Sequence, residues 1–173
     1  MTNVYLSKPS LELKEGYLEF YKEWMDSGEE AVPWVIEREP EPFEEMVQWL
    51  TDHGSGVNLP EGWVPDSTFW LTTDTGEVLG VVNIRHRLTP FLLNEGGHIG
   101  YGIRPSERRK GYATKLLQLA LVEAKQLGID KALVVCDESN VASERTIRIN
   151  GGVPDRDYIP ENGEAVRRFW IDL

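Results

Sequence analysis

The chain has a single cysteine among 173 residues, only three histidines, and no apolar run near the ~20 residues that a membrane span requires. Cys136, alone, forms no internal disulfide, which fits a reducing, cytoplasmic setting. It closes an apolar stretch, so a buried and inert thiol is expected there. His53, His86 and His98 lack metal-ligand spacing, and no metal site is expected. Residues Met1 to Ser10 hold no apolar segment of the signal-peptide kind. Neither a Walker P-loop nor a Rossmann glycine fingerprint occurs, and there is no internal repeat. Positive charge is short as well, with 18 Lys and Arg against 29 Asp and Glu. A net charge of −11 argues against nucleic acid or anionic membrane as partners.

The acidic excess is unevenly placed. Residues 1–66 carry 15 acidic and 4 basic side chains, whereas residues 67–173 carry 14 of each. The N-terminal field suits either a cationic acceptor or a solvated, solubilising surface. Length and an apolar content of 40% suit one folded domain over residues 1–173, with a sizeable core.

Taken in order, Val4 to Ser7 reads as a short strand. Leu13, Tyr17, Phe20, Tyr21 and Trp24 mark one face of a helix from Leu11 to Met25. A second helix is expected from Pro42 to Gly54, turning Phe43, Met46, Val47 and Leu50 inward. Residues 54–65, rich in glycine and proline, read as a loop carrying Trp63. Phe69 to Thr73 and Val78 to Arg85 flank a short turn and read as a β-hairpin. Leu88 to Gly96 reads as a loop with Phe91 and Leu92 exposed, a possible surface for a homodimer against a monomer. Lys131 to Cys136 is a buried strand, Asn140 to Asn150 a short helix, and Val166 to Ile171 a last strand.

The most informative stretch runs from Gly97 to Thr114. His98 to Ile103 can extend, Pro105 ends the strand, and Ser106 to Lys110 is polar and turn-like. From Ala113 the apolar residues Leu116, Leu117, Ala120, Leu121, Ala124 and Leu127 fall at helical spacing, and Gly128 ends the run. Gly111 at the helix start lets backbone N–H groups approach a ligand, and a helix N-terminus suits a phosphate group. Arg108, Arg109 and Lys110 add positive charge at that point. Strand, helix and strand in succession predict a right-handed crossover with parallel strands.

Arg108-x-x-Gly111-x-Ala113 resembles the Q/R-x-x-G-x-G/A signature of the GNAT superfamily of acetyl-CoA-dependent N-acetyltransferases. Asn140-Val141-Ala142-Ser143 followed by Asn150-Gly151-Gly152 resembles the family's later element, and the match covers about residues 78–153. The chain is similar to bacterial members of this length, a likeness that names no acceptor. The resemblance implies an α/β GNAT fold: a mixed central sheet of about six or seven strands, splayed between the fourth and fifth, with about four helices. It implies acetyl transfer from acetyl-CoA to a primary amine by direct attack. The acceptor would be a small molecule or a protein amine.

In such a protein residues 1–66 shape the acceptor side and residues 67–173 form the cofactor-binding core. The implied cofactor contacts are Ile103, Arg108, Arg109, Lys110, Gly111, Tyr112, Ala113, Thr114, Asn140 and Ser143. The backbone N–H of Ile103 becomes the oxyanion donor. Asn140 is equally an N-cap candidate. Trp34, Trp49 and Trp63 are either walls of the acceptor site or core. Two departures stand out. No Glu or Asp lies between Gly96 and Ile103, where many members carry a base, and His98 is the ionisable residue there. Ile147 stands where many members carry an acid tyrosine, leaving Tyr101 and Tyr158 as spatial substitutes. The rival reading is a non-catalytic acetyl-CoA-binding sensor or interaction module.

Overall fold

The computed structural model describes residues 2–161 and 163–173. Among them seven strands form two sheets. The first is built from β1 (Val4–Ser7), β2 (Asp66–Thr73), β3 (Val78–Arg85) and β4 (Ile99–Ile103), antiparallel and in sequence order. The second sets β5 (Lys131–Asp137) against β7 (Val166–Asp172), with β6 (Val153–Pro154) on the far edge. β4 and β5 therefore belong to different sheets, the splay between the fourth and fifth strands that the resemblance implies. The two residues of β6 were too few to leave a pattern.

Helix α1 (Lys14–Ser27) follows a short 3-10 turn and turns Tyr17, Phe20 and Trp24 inward. Gly28 ends it with φ of 71°. Helix α2 (Phe43–Ser55) buries Phe43, Met46, Leu50 and His53; it passes through Gly54 and stops at Gly56, whose left-handed φ supplies the cap. With strand residues Trp70, Val78 and Val81 these side chains form one core. Tyr17 stacks on Trp70 at 4.2 Å, and Trp70 is fully buried. Burying roughly 200 Å² of indole surface contributes on the order of 5 kcal/mol before entropic costs.

Helix α3 (Tyr112–Gln126) lies against the opposite face. Its Leu116, Leu117, Ala120 and Ala124 meet Leu79, Val82, Ile84, Ile99 and Ile103 of the first sheet and Ala132, Val134 and Phe169 of the second. One apolar helix face thus spans both sheets across the split. Helix α4 (Val141–Ile149) buries Ile147 in this core, where Gly152 leaves it room. Residues 92–96 form a helical turn where a loop was expected. Phe91 is 63% exposed, while Leu92 is half-buried and Leu93 is the second exposed residue. No helix among the described residues is long and apolar enough to cross a membrane.

Candidate active site

The split between β4 and β5 is closed at one end only. His98 N–H donates to the Leu133 carbonyl (2.7 Å), and the Leu133 N–H donates to His98 Nδ1 (2.9 Å). The imidazole stands where a strand carbonyl would complete the rung. Burial and then the neighbouring Arg85 guanidinium push the His98 pKa down to about 4. The ring is neutral at pH 7 and its Nδ1 lone pair is engaged, which leaves it poorly suited to accept a proton from an amine.

Beyond His98 the strands diverge, and alternation dictates which groups are left free. Arg85 N–H bonds to the His98 carbonyl and Arg104 N–H to that of Leu79. In an antiparallel ladder, Gly100 and Gly102 then face β3, while Ile99, Tyr101 and Ile103 present their main-chain groups to the split. The Ile103 carbonyl accepts from Arg108 Nε (2.9 Å). The Tyr101 hydroxyl crosses the split to Ser143 Oγ (2.7 Å) on α4, and burial pushes its pKa up to about 12. Cys136, buried on β5, is raised to about 11 by burial and then by Glu144. Ile147 is fully buried in the core against which Tyr101 packs. Asn140 Oδ1 accepts from Ser143 N–H (3.1 Å), the N-cap geometry.

At the mouth of the split lies the turn into α3. Its first helical bond joins Lys115 N–H to the Gly111 carbonyl. Among the described residues, the N–H groups of Arg109, Lys110, Gly111, Tyr112, Ala113 and Thr114 meet no acceptor. Arg109 (φ 62°) and Gly111 (φ 86°) take left-handed conformations, which curl the main chain so that consecutive N–H groups converge. That cradle, at the positive end of a 15-residue helix, fits a pyrophosphate. The side chains contribute less. Lys110 pairs with Glu107 and Tyr112 is buried, while Arg109 is exposed at the turn. Arg108 turns away, its Nη atoms on both oxygens of Glu29 (2.9 and 2.6 Å) and its guanidinium over Trp24.

The other face of β4 is covered by the segment after α1. A Cβ at Gly102 would stand 2.0 Å from the Val32 oxygen, and one at Gly100 would press on Arg85 and Pro33. The next residue, Trp34, packs edge-on against Trp49 and Trp63 above His53. Trp63 is 47% exposed, while Trp34 and Trp49 are half-buried. His53 Nδ1 is 2.8 Å from Asp66 Oδ2, and Asn83 Nδ2 donates to Asp66 Oδ1. Arg85 donates to the Gly96 carbonyl, and burial pulls its pKa down to about 10. His86 Nε2 lies 2.7 Å from Ser67 Oγ.

The family described as acetyltransferase (GNAT) domain matches residues 4–153 of the chain. The chain belongs to the GNAT acetyltransferases. Among solved structures it is similar to the ribosomal-protein alpha-N-acetyltransferase RimL in complex with coenzyme A, at a TM-score of 0.71. The identity is 16%, over 100% of this chain and 96% of that one. It is also similar to a Salmonella typhimurium acetyltransferase acting on the N-terminal serine of a ribosomal protein (TM-score 0.68, 15% identity, 100% and 96% covered). A third is a spermidine N-acetyltransferase, SpeG, from Vibrio cholerae (TM-score 0.63, 15% identity, 98% and 94% covered). At these identities the likeness is one of fold. No curated protein sequence matches the chain.

The GNAT turn brings Ile103 and residues 108–114 to one end of the split, with Tyr101, Asn140 and Ser143 along it. His98 sits at the closed end, and Tyr158 pairs instead with Val166 on the second sheet. Glu23, Glu29 and the His53–Asp66–Asn83 group are functional candidates that the sequence did not single out. Their partners are distant in the chain, and no local spacing signals them.

Proposed function

We propose that this GNAT protein transfers the acetyl group of acetyl-CoA directly to a primary amine. The observation that carries the reading is the run of unpaired N–H groups from Arg109 to Thr114 at the mouth of the split. Residues 67–173 form the cofactor side, and the wall from Trp24 to Asp66 forms the acceptor side. Acetyl-CoA supplies the thioester, which the amine cleaves to give an amide and the CoA thiol.

The chain holds and polarises. Main-chain N–H groups of residues 109–114 take the pyrophosphate, and the free edge of β4 at Tyr101 and Ile103 lies beside the thioester arm. Ile103 N–H donates to the carbonyl oxygen as negative charge develops there. The Tyr101 hydroxyl, protonated to about pH 12, stays an O–H donor to the departing sulfur. A thiol near 8.5 is the stronger acid, so its final proton comes from solvent. The amine sheds its own proton to water as well, since His98 is engaged and the β4 edge carries no carboxylate. The acidic N-terminal third and the half-exposed Trp63 favour a cationic small molecule. The reaction belongs in the cytoplasm, where an unpaired Cys136 persists.

The test is calorimetric binding of acetyl-CoA, with desulfo-CoA and ATP as controls, followed by thiol release on spermidine, amino acids and an N-terminal serine peptide. Binding with thiol release supports the enzyme. Binding with no release on any amine favours the sensor reading, and no binding removes both.

A further inference from the structure

Arg108 is the first position of the turn motif, yet its side chain serves the opposite wall. Nε donates to the carbonyl of Ile103, and the two Nη atoms fork onto Glu29. Its guanidinium lies 5.2 Å from the ring centre of Trp24, and Trp24 Nε1 donates to the Glu30 carbonyl. A second tie runs beside it. Glu23 takes Arg104 Nε on one oxygen and Ser106 N–H on the other. The segment held by these carboxylates continues through residues 30–33 onto Gly100 and Gly102 of β4, where it lies against bare backbone.

The Arg108 and Glu29 side chains are 37% and 47% exposed, so their ion pair adds little to folding stability. A bidentate fork fixed at a third point by Nε, and at a fourth by an indole, sets geometry instead. Hydrogen bonds from Arg108 hold the Glu29 carboxyl below its ordinary range, so the fork is intact at neutral pH.

We infer that Arg108 and Glu29 are positioning residues that couple the two substrates, an inference that rests on the acetyltransferase reading above. The residue that begins the donor turn also grips Ile103 and the acceptor wall. Ordering of residues 109–114 by acetyl-CoA fixes Arg108, and through Glu29 it fixes residues 28–36. Acetyl-CoA thereby raises the affinity of that wall for the acceptor. By linkage the acceptor then tightens acetyl-CoA by the same factor.

The experiment is hydrogen exchange of the intact protein with and without saturating acetyl-CoA, on wild type, Glu29→Gln and Arg108→Lys, with calorimetry alongside. In wild type, acetyl-CoA slows exchange at residues 109–114 and by about tenfold at residues 28–36. In Glu29→Gln, acetyl-CoA affinity changes less than about threefold and residues 109–114 stay protected, but protection at residues 28–36 is lost. Arg108→Lys keeps the charge without the fork and loses it too. Protection of residues 28–36 that survives in Glu29→Gln overturns the coupling, as does its absence in wild type. Failure of wild type to bind acetyl-CoA is a separate outcome, read by calorimetry, and it removes the acetyltransferase reading together with the inference built on it.

Discussion

The two sides of the split offer different parts of the chain. From Ile103 to Thr114 the available groups are chiefly main-chain N–H donors, since Tyr112 is buried, Lys110 is paired and Arg108 is turned away, with Arg109 exposed beside them. From Trp24 to Asp66 the surface is made of side chains: the indoles of Trp34, Trp49 and Trp63, set over a buried histidine tied to an aspartate. A phosphate cradle made of backbone tolerates many side chains. An acceptor wall made of side chains changes with each substitution. One side can therefore stay constant in chemistry while the other varies its acceptor.

The largest expected effect strikes the backbone side. Gly111→Trp forces a bulky residue into φ of 86° and covers the converging N–H groups. Acetyl-CoA affinity should fall about a thousandfold, beyond calorimetric detection, with the fold retained by circular dichroism. Unchanged affinity would mean that the donors lie elsewhere.

Next is His98, where the pinned end of the split is tied to pH. Its folded pKa of about 4 lies below the ordinary 6.5, so the neutral ring stabilises the fold. That contribution is whole above pH 6.5 and drains away as pH falls toward 4, about 3 kcal/mol in all. Denaturant titrations of wild type and His98→Gln at pH 7.5 and 4.5 should show the loss in wild type only. The turnover defect of His98→Ala should be flat between pH 6 and 9; a defect that shrinks at high pH would restore His98 as a base.

Tyr101→Phe removes the hydroxyl that bridges to Ser143. A tenfold to hundredfold drop in kcat is expected, with the acetyl-CoA dissociation constant held within about twofold. A new pH dependence near 8.5 in that variant would instead make the tyrosine a true proton donor.

The smallest effect falls on the proposed acceptor wall. Trp63→Ala should cost under about 1 kcal/mol in a thermal melt, because the ring is 47% exposed. Its signature is a raised KM for the amine with kcat held. A large loss of stability would return all three indoles to the core.

The same contrast explains what the sequence disclosed. Helix α3 was legible because its apolar spacing, Gly111 and Gly128 are local features, and the turn of GNAT type came with them. The hairpin, α1 and α4 with its Asn140 cap were readable for the same reason. Arg108 was read as a phosphate contact because charge is visible in sequence and direction is not. Its partner Glu29 lies 79 residues away. His98 stood in the sequence as the ionisable candidate, base or structural, and its bond from the Leu133 N–H depends on a strand 35 residues away. Phe91 was foreseen at the surface, but Leu92, expected beside it, is half-buried because a helical turn, not an extended loop, carries it.

The single rung at His98 and Leu133 makes the split a lever with its pivot at one end. β4 extends five residues past that pivot, on the order of 17 Å, so a small tilt at the base becomes a large displacement at Ile103. Gly97 sits at the fulcrum, where an added Cβ would meet the Leu133 oxygen at 2.6 Å. A methyl group placed there would prise the strands apart and be felt most at the far end, beside the donor turn.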